Sequence, residues 1–140
     1  MLVRLMYASR ATVPVEPEML SGILRKSTAN NPVIGVTGLL CFSGDIFLQV
    51  LEGGRSQVSD LYNRIAQDTR HRNVVLLTYQ EIEERSFAAW SMGKVNMSRL
   101  NPSLLLKYSE TATLDPYAVS GEMSLALLGE LVATASVTCS

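Results

Sequence analysis

A single glutamine, Gln49, interrupts the apolar run of IFLQVLEGG, residues 46–54. Opened by Ser-Gly-Asp and closed by Gly-Gly, that run reads as a strand buried on both faces. A carboxamide there carries two donors and two acceptor sites and cannot reach water as a lysine can, so it must meet another polar group inside. Leaving it unsatisfied would cost about 1–3 kcal/mol. A second polar group lies on the preceding helix, where the stripe of Leu20, Ile23 and Leu24 continues into Ser27, Asn30 and Asn31. Capping of the helix end is the ordinary reading of Asn30, whereas for Asn31 a cap and a ligand contact are equally consistent with the spacing. One chemistry accommodates these residues: a flat heteroaromatic ring between two helices, with Ile23 and Ile65 on its faces and Asn31 and Gln49 on its polar edge.

Other chemistries find less support. His71 has no second histidine or cysteine with metal-ligand spacing, and no Walker-type or GxGxxG loop is present. A triad of Ser9, Asp68 and His71 lacks a nucleophile-elbow sequence around the serine. An acylphosphatase-like hydrolase, with Arg10 holding phosphate and an asparagine positioning water, lacks its glycine-rich loop and leaves Gln49 unexplained. A colourless metabolite-binding module that dimerises through its tail is a further alternative. Trp90 and Met92 read equally well as packing residues.

The elements that position these groups follow from periodicity. Val3, Leu5 and Tyr7 alternate with Arg4 and Met6, which predicts a first strand. Pro17 and Glu18 open a helix expected to run from about residue 17 to 30, with Asn31-Pro32 as its stop. VIGVTGLLCF and IFLQVLE flank Ser43-Gly44-Asp45 as a hairpin. Val58, Leu61, Tyr62 and Ile65 predict a second helix, with Arg70-His71-Arg72 at its C-terminal end, and NVVLLTYQEI a fourth strand. AWSMGKVNM reads as a fifth strand with Trp90 and Met92 on one face. This order predicts an α+β, ferredoxin-like βαββαββ mixed sheet with two helices on one face and the first and third strands as parallel central neighbours. Tyr7 and Gln49 would then lie side by side. Past Asn101-Pro102, SLLLKY and a stretch from about Asp115 to Ala135 predict two further helices. The latter is apolar around most of its circumference, from Met123 to Val132, so it should cover the other sheet face, alone or together with a second subunit.

The chain's 140 residues suffice for one compact core, with 47% hydrophobic residues. Twelve basic against thirteen acidic residues leave no excess charge for nucleic acid. Cys41 lies in an apolar run and Cys139 next to the last residue, so neither a disulfide framework nor a zinc site is expected and a cytoplasmic location fits. No signal peptide and no run of about 18 apolar residues for a membrane span is found.

LMYASRA around Tyr7, NNPVIGVTGLL, FSGDIFLQVLEG around Gln49 and FAAWSMG occur in the order of the BLUF domain, which residues 1–97 resemble. Short members of that family carry a helical C-terminal cap, here residues 98–140. The resemblance implies a blue-light sensor, not an enzyme, with noncovalently bound FAD. It implies that Gln49 bonds the flavin edge and Tyr7, that Asn31 holds the pyrimidine end and that Asn30 supports it. Ile23, Ser27, Leu40, Phe47, Arg64, Ile65, Asp68, Arg70 and His71 complete the implied cofactor-binding set. In the implied photochemistry Tyr7 donates an electron with proton movement through Gln49. The Gln49 amide is left rotated or tautomerised, the flavin absorption shifts slightly to the red, and the change reverts in the dark. Trp90 and Met92 would exchange contacts with it and pass the signal through the fifth strand to the C-terminal helices. A homodimer or higher oligomer and a response protein acting in trans are the expected partners.

Overall fold

The computed structural model describes residues 1–134 and 138–139. In chain order it contains β1 (Leu2–Ala11), α1 (Pro17–Ile34), β2 (Thr37–Ser43), β3 (Ile46–Gly54), α2 (Arg55–Gln67), β4 (His71–Ile82) and β5 (Gly93–Asn96). A 3₁₀ turn at Met97–Arg99 leads into α3 (Pro102–Tyr108), α4 (Gly121–Ala133) and a short β6 (Thr138–Cys139). The strands form one sheet in the order β4-β1-β3-β2-β5-β6. β2 and β5 pair in parallel and the other neighbours antiparallel, so the sheet is mixed, as expected.

The central pair differs from expectation, because β1 and β3 run antiparallel. The crossover through α1 makes β2 parallel to β1, and the hairpin at Gly44 (φ 59°) then reverses the chain into β3. Tyr7 and Gln49 nevertheless face each other directly across the β1–β3 ladder.

Both faces of the sheet are covered, which is why the central strands read as continuous apolar runs rather than alternating ones. On one face Val3, Leu5, Tyr7, Leu40, Phe47 and Leu51 pack with Leu20 and Leu24 of α1 and Val58 of α2. On the other, Met6, Leu39, Cys41, Leu48 and Val50 pack with Phe87, with Leu105 of α3, and with Leu127, Leu128 and Leu131 of α4. α4 thus covers the sheet face opposite α1 and α2 through Leu127, Leu128 and Leu131, while its Met123 is exposed.

Several boundaries move for physical reasons. α1 passes through Pro32 and ends at Gly35, whose φ of 72° is left-handed and whose N–H, with that of Val36, reaches back to Pro32 and Asn31 carbonyls. Neither Asn30 nor Asn31 is therefore a cap, and β2 begins only at Thr37. Arg70 and His71 do not end α2: Asp68 is its C-cap, Arg64 is the basic residue of its last turn, and His71 opens β4. α4 starts at Gly121, where the Ser120 hydroxyl accepts the Met123 N–H at 3.1 Å, rather than at Asp115. The expected end of that helix at Ala135 lies outside the described residues. Residues 90–92 are not strand, since β5 begins at Gly93. The alternation that would have aligned Trp90 with Met92 is absent, so Trp90 packs against the α3/α4 side and Met92 against the α1/α2 side.

β4 shifts register against β1 between Met6 and Tyr7 and again between Ala8 and Arg10. Bulges of this kind re-aim side chains beside functional sites. Here they flank Tyr7.

Candidate functional site

A cleft opens on the α1/α2 side of the sheet. Its floor is Tyr7 of β1, Leu40 of β2, and Phe47 and Gln49 of β3. These positions share a face because Leu40 opposes Gln49 across the β2–β3 ladder and Phe47 lies two residues from it. Ile23, Ser27, Asn30 and Asn31 form the α1 wall, Arg64 and Ile65 the α2 wall, and Asp68, Arg70 and His71 border the cleft where α2 gives way to β4. Met92 closes it from the β5 side. Every residue of the implied cofactor-binding and photochemical sets is thus gathered around one cavity except Trp90, which faces the opposite core; Ser9 and Arg10 of the rival readings do not line it.

Three lining residues escaped the sequence reading: Lys26, Ile34 and Leu61. Leu61 lies one helical turn before Ile65, a visible signal. Ile34 was hidden by the expectation that Pro32 ends the helix. Lys26, three positions after Ile23, reads as ordinary solvated surface.

The polar groups form a chain. The buried Tyr7 hydroxyl donates to Gln49 Oε1, and Gln49 Nε2 lies 3.3 Å from Met92 Sδ. Burial, with smaller contributions from Tyr62 and Asp68, pushes the Tyr7 phenol well above its ordinary pKa, so it remains a protonated donor. Asn31 is 3% exposed and donates through Nδ2 to the Ser91 carbonyl at 2.8 Å, so its amide bridges α1 to the segment before β5.

At the mouth, hydrogen bonding from Arg70 holds the Asp68 carboxyl down at about 2. Burial lowers the His71 pKa from its ordinary 6.5 and favours the neutral ring. Its Nδ1 lies 2.9 Å from Ser9 Oγ, and its ring sits 5.5 Å from that of Phe47.

The Ser9–His71 contact forms half of a triad, but the Asp68 carboxylate is engaged by Arg70 at 2.6–3.1 Å and does not orient the imidazole. Arg10 points away from the cleft, pairing with Asp45 at 3.3 Å and lying over the Tyr117 ring at 5.1 Å, which removes the phosphate-holding residue of the hydrolase reading. Among the described residues no acidic, histidine or cysteine cluster suits a metal ion, and no helix is long and apolar enough to cross a membrane.

Aliphatic side chains on both walls, a carboxamide in the floor and further amides on α1 suit a flat ring with apolar faces and polar edges, as the isoalloxazine of FAD is. The photo-activated state of BlsA superposes with a TM-score of 0.83 at 32% identity, covering 94% of this chain and 95% of that one. BlrB, a BLUF protein in its dark state, gives 0.79 at 31% identity and 96% of both chains. In sequence, the photoactivated adenylate cyclase subunit beta of Euglena longa is 38% identical over 92 residues, which is 65% of this chain but 11% of that protein. The chain therefore spans about a tenth of the cyclase subunits that it matches. The family model described as sensors of blue-light using FAD matches residues 2–93, and this chain accordingly belongs to the BLUF family of light-sensing modules that bind FAD and are not themselves enzymes.

Proposed function

We propose that Tyr7 and Gln49 are the photochemical pair and that the cleft residues hold the flavin. In this reading Asn31, Asn30 and Gln49 meet the ring's polar edge, and Ile23, Ile65, Leu40 and Phe47 pack on it. Ser27, Arg64, Asp68, Arg70 and His71 border the ribityl chain and phosphates. Bound FAD supplies blue-light absorption and, once excited, an electron acceptor. Tyr7 would give the electron, with its phenolic proton moving through the Gln49 amide. Both return to Tyr7, so no net reaction occurs, but the amide is left rotated or tautomerised. The observation that carries this reading is the buried chain from Tyr7 through Gln49 to Met92.

One hydrogen bond contributes about 1 kcal/mol net, whereas moving a population from 1:99 to 99:1 takes about 5.5 kcal/mol. Gln49 therefore acts through neighbours. Met92 is the first of them, and Trp90, two residues away, is carried with it on the other side of the sheet. Residues 1–97 form the sensing unit. Residues 98–140 relay the change from β5, and a response protein acting in trans, in the cytoplasm, reads it. The apolar girth of α4 supports a homodimer or higher oligomer in addition to the cap.

Absorption spectra of the purified protein before and after blue illumination test the reading. Flavin bands with a small red shift that reverts in the dark are expected. A colourless protein that refuses added FAD would overturn it.

A further inference from the structure

Glu52 is fully buried, although nothing in the photochemical reading requires a carboxylate there. It lies three residues beyond Gln49 on β3, faces Arg4 across the β1–β3 ladder, and sits on the α3/α4 side of the sheet. Its Oε2 accepts from Arg4 Nε at 2.8 Å and from the Ser86 backbone N–H at 3.0 Å, and its Oε1 accepts from the Phe87 N–H at 2.6 Å. Arg4 Nη2 is also 2.8 Å from Oε2 and donates to Ser86 Oγ at 2.7 Å, and its guanidinium lies 5.9 Å from the centroid of the buried Phe87 ring. Arg85 adds bonds to Gly35 O at 2.7 Å and to Thr37 Oγ1 at 3.1 Å.

These contacts fasten residues 85–87, the stem of the crossing from β4 to β5. Beyond the stem the chain is held by bonds that lead to the cleft: Gly38 N–H to Trp90 O at 3.1 Å, Asn31 to Ser91 O, and Gln49 to Met92 Sδ. The fixed stem and the tip that contacts Gln49 are thus five residues apart, from Arg4–Glu52–Phe87 to Met92.

We propose that Glu52, with Arg4, is a positioning residue of the photocycle: its buried carboxylate fixes the backbone of Ser86 and Phe87 so that Met92 is presented to Gln49 and returns there in the dark. The inference rests on the photochemical role proposed for Gln49 and Met92. Fixing the stem limits the conformations that the tip must search when it reseats its sulfur, which is preorganisation acting within one chain. It also blocks displacement toward β4 and leaves β5 as the element able to move.

The test uses the full FAD-loaded chain carrying Glu52→Gln, whose side chain offers one acceptor oxygen in place of two. The expected result is retained FAD and a retained red shift, with faster dark amide exchange over residues 86–92 and dark recovery slowed by about tenfold, equivalent to ~1.4 kcal/mol in the barrier. If the unpaired Arg4 prevents folding, Arg4→Met combined with Glu52→Leu removes both charges together and leaves no buried ion unpaired. That double variant should show the same slow recovery. A lowered melting temperature with unchanged recovery and unchanged exchange at 88–92 would make the network purely structural and overturn the proposal. Absence of any reversible shift in the unsubstituted protein would instead sink the photochemical reading, and this inference with it.

Discussion

Gln49 presents its Oε1 to the Tyr7 hydroxyl and its Nε2 to Met92 Sδ, 3.3 Å away, so one carboxamide joins central strand β1 to the segment that enters β5. The two contacts respond differently to reversal of the amide. A phenol can donate or accept, so Tyr7 can bond either end of the carboxamide. A thioether can only accept, and weakly. With the amide reversed, Met92 would face an oxygen to which it can donate nothing, and its attachment to Gln49 is lost while that of Tyr7 survives. That difference supports the proposed division, in which Tyr7 takes part in the chemistry and Met92 in the readout.

Replacing Gln49 by Leu keeps most of the volume and removes the amide. The buried Tyr7 hydroxyl then has no partner, which should cost about 1–3 kcal/mol in urea unfolding. FAD should remain bound and the light-induced red shift should vanish from the absorption spectrum. A normal shift in that variant would remove Gln49 from the mechanism and leave the cofactor assignment standing.

Met92→Leu separates the sulfur from the space it fills. Met92 is 3% exposed, and a volume-conserving apolar swap costs less than about 1.5 kcal/mol. The Tyr7–Gln49 pair is untouched, so the red shift should persist. The difference between dark and light amide exchange over residues 88–96 should shrink, because nothing now distinguishes the two amide orientations at this position. A difference as large as in the unsubstituted protein would show that the sulfur is not the link.

The contrast between Gln49 and Trp90 shows what the sequence made legible. Gln49 stood out because a carboxamide in a two-sided apolar strand demands a partner, and strand order supplied Tyr7 even though the relative direction of β1 and β3 was misjudged. Alternation only works where the chain is extended, and residues 90–92 are not, so Trp90 and Met92 were wrongly put on one face. Asn31 was ambiguous for a related reason: Pro32 suggested a helix end, whereas the left-handed Gly35 three residues later provides it. The Arg4–Glu52 clamp left no trace in periodicity, because its meaning lies in the backbone N–H groups of Ser86 and Phe87 that the carboxylate satisfies, thirty-four and thirty-five residues away from Glu52.

Gly38 tests how tightly the readout segment is docked. A Cβ on Gly38 would lie 2.0 Å from the Val50 carbonyl oxygen, a backbone atom that cannot yield without parting β2 from β3. The Gly38 N–H also holds Trp90 O. Gly38→Ala should therefore destabilise by more than about 4 kcal/mol, in the exceptional range for one substitution, and should be seen as loss of bound FAD and of cooperative thermal unfolding.

Acid should weaken the site in two stages, set by His71 and Asp68. Burial lowers the folded pKa of His71 below its ordinary 6.5, so the unfolded chain binds the extra proton first as pH falls. The stability associated with the neutral ring is complete above about pH 6.5 and is lost as pH falls through the lower, folded value. Asp68 shows the same sign at lower pH: the Arg70 hydrogen bonds hold it at about 2 against an ordinary 3.8, so its contribution is present above 3.8 and lost on the way to about 2. The Arg70 side chain is 46% exposed, so solvent screens part of this second contribution. Melting temperatures measured between pH 8 and pH 2 should therefore decline first below about 6.5 and again below about 4. His71→Gln, which keeps a polar partner for Ser9 Oγ but cannot titrate, should flatten the upper decline and leave the lower one in place. A profile in the variant that still falls through the upper window would assign that titration to another group and remove His71 as the source of the site's acid sensitivity.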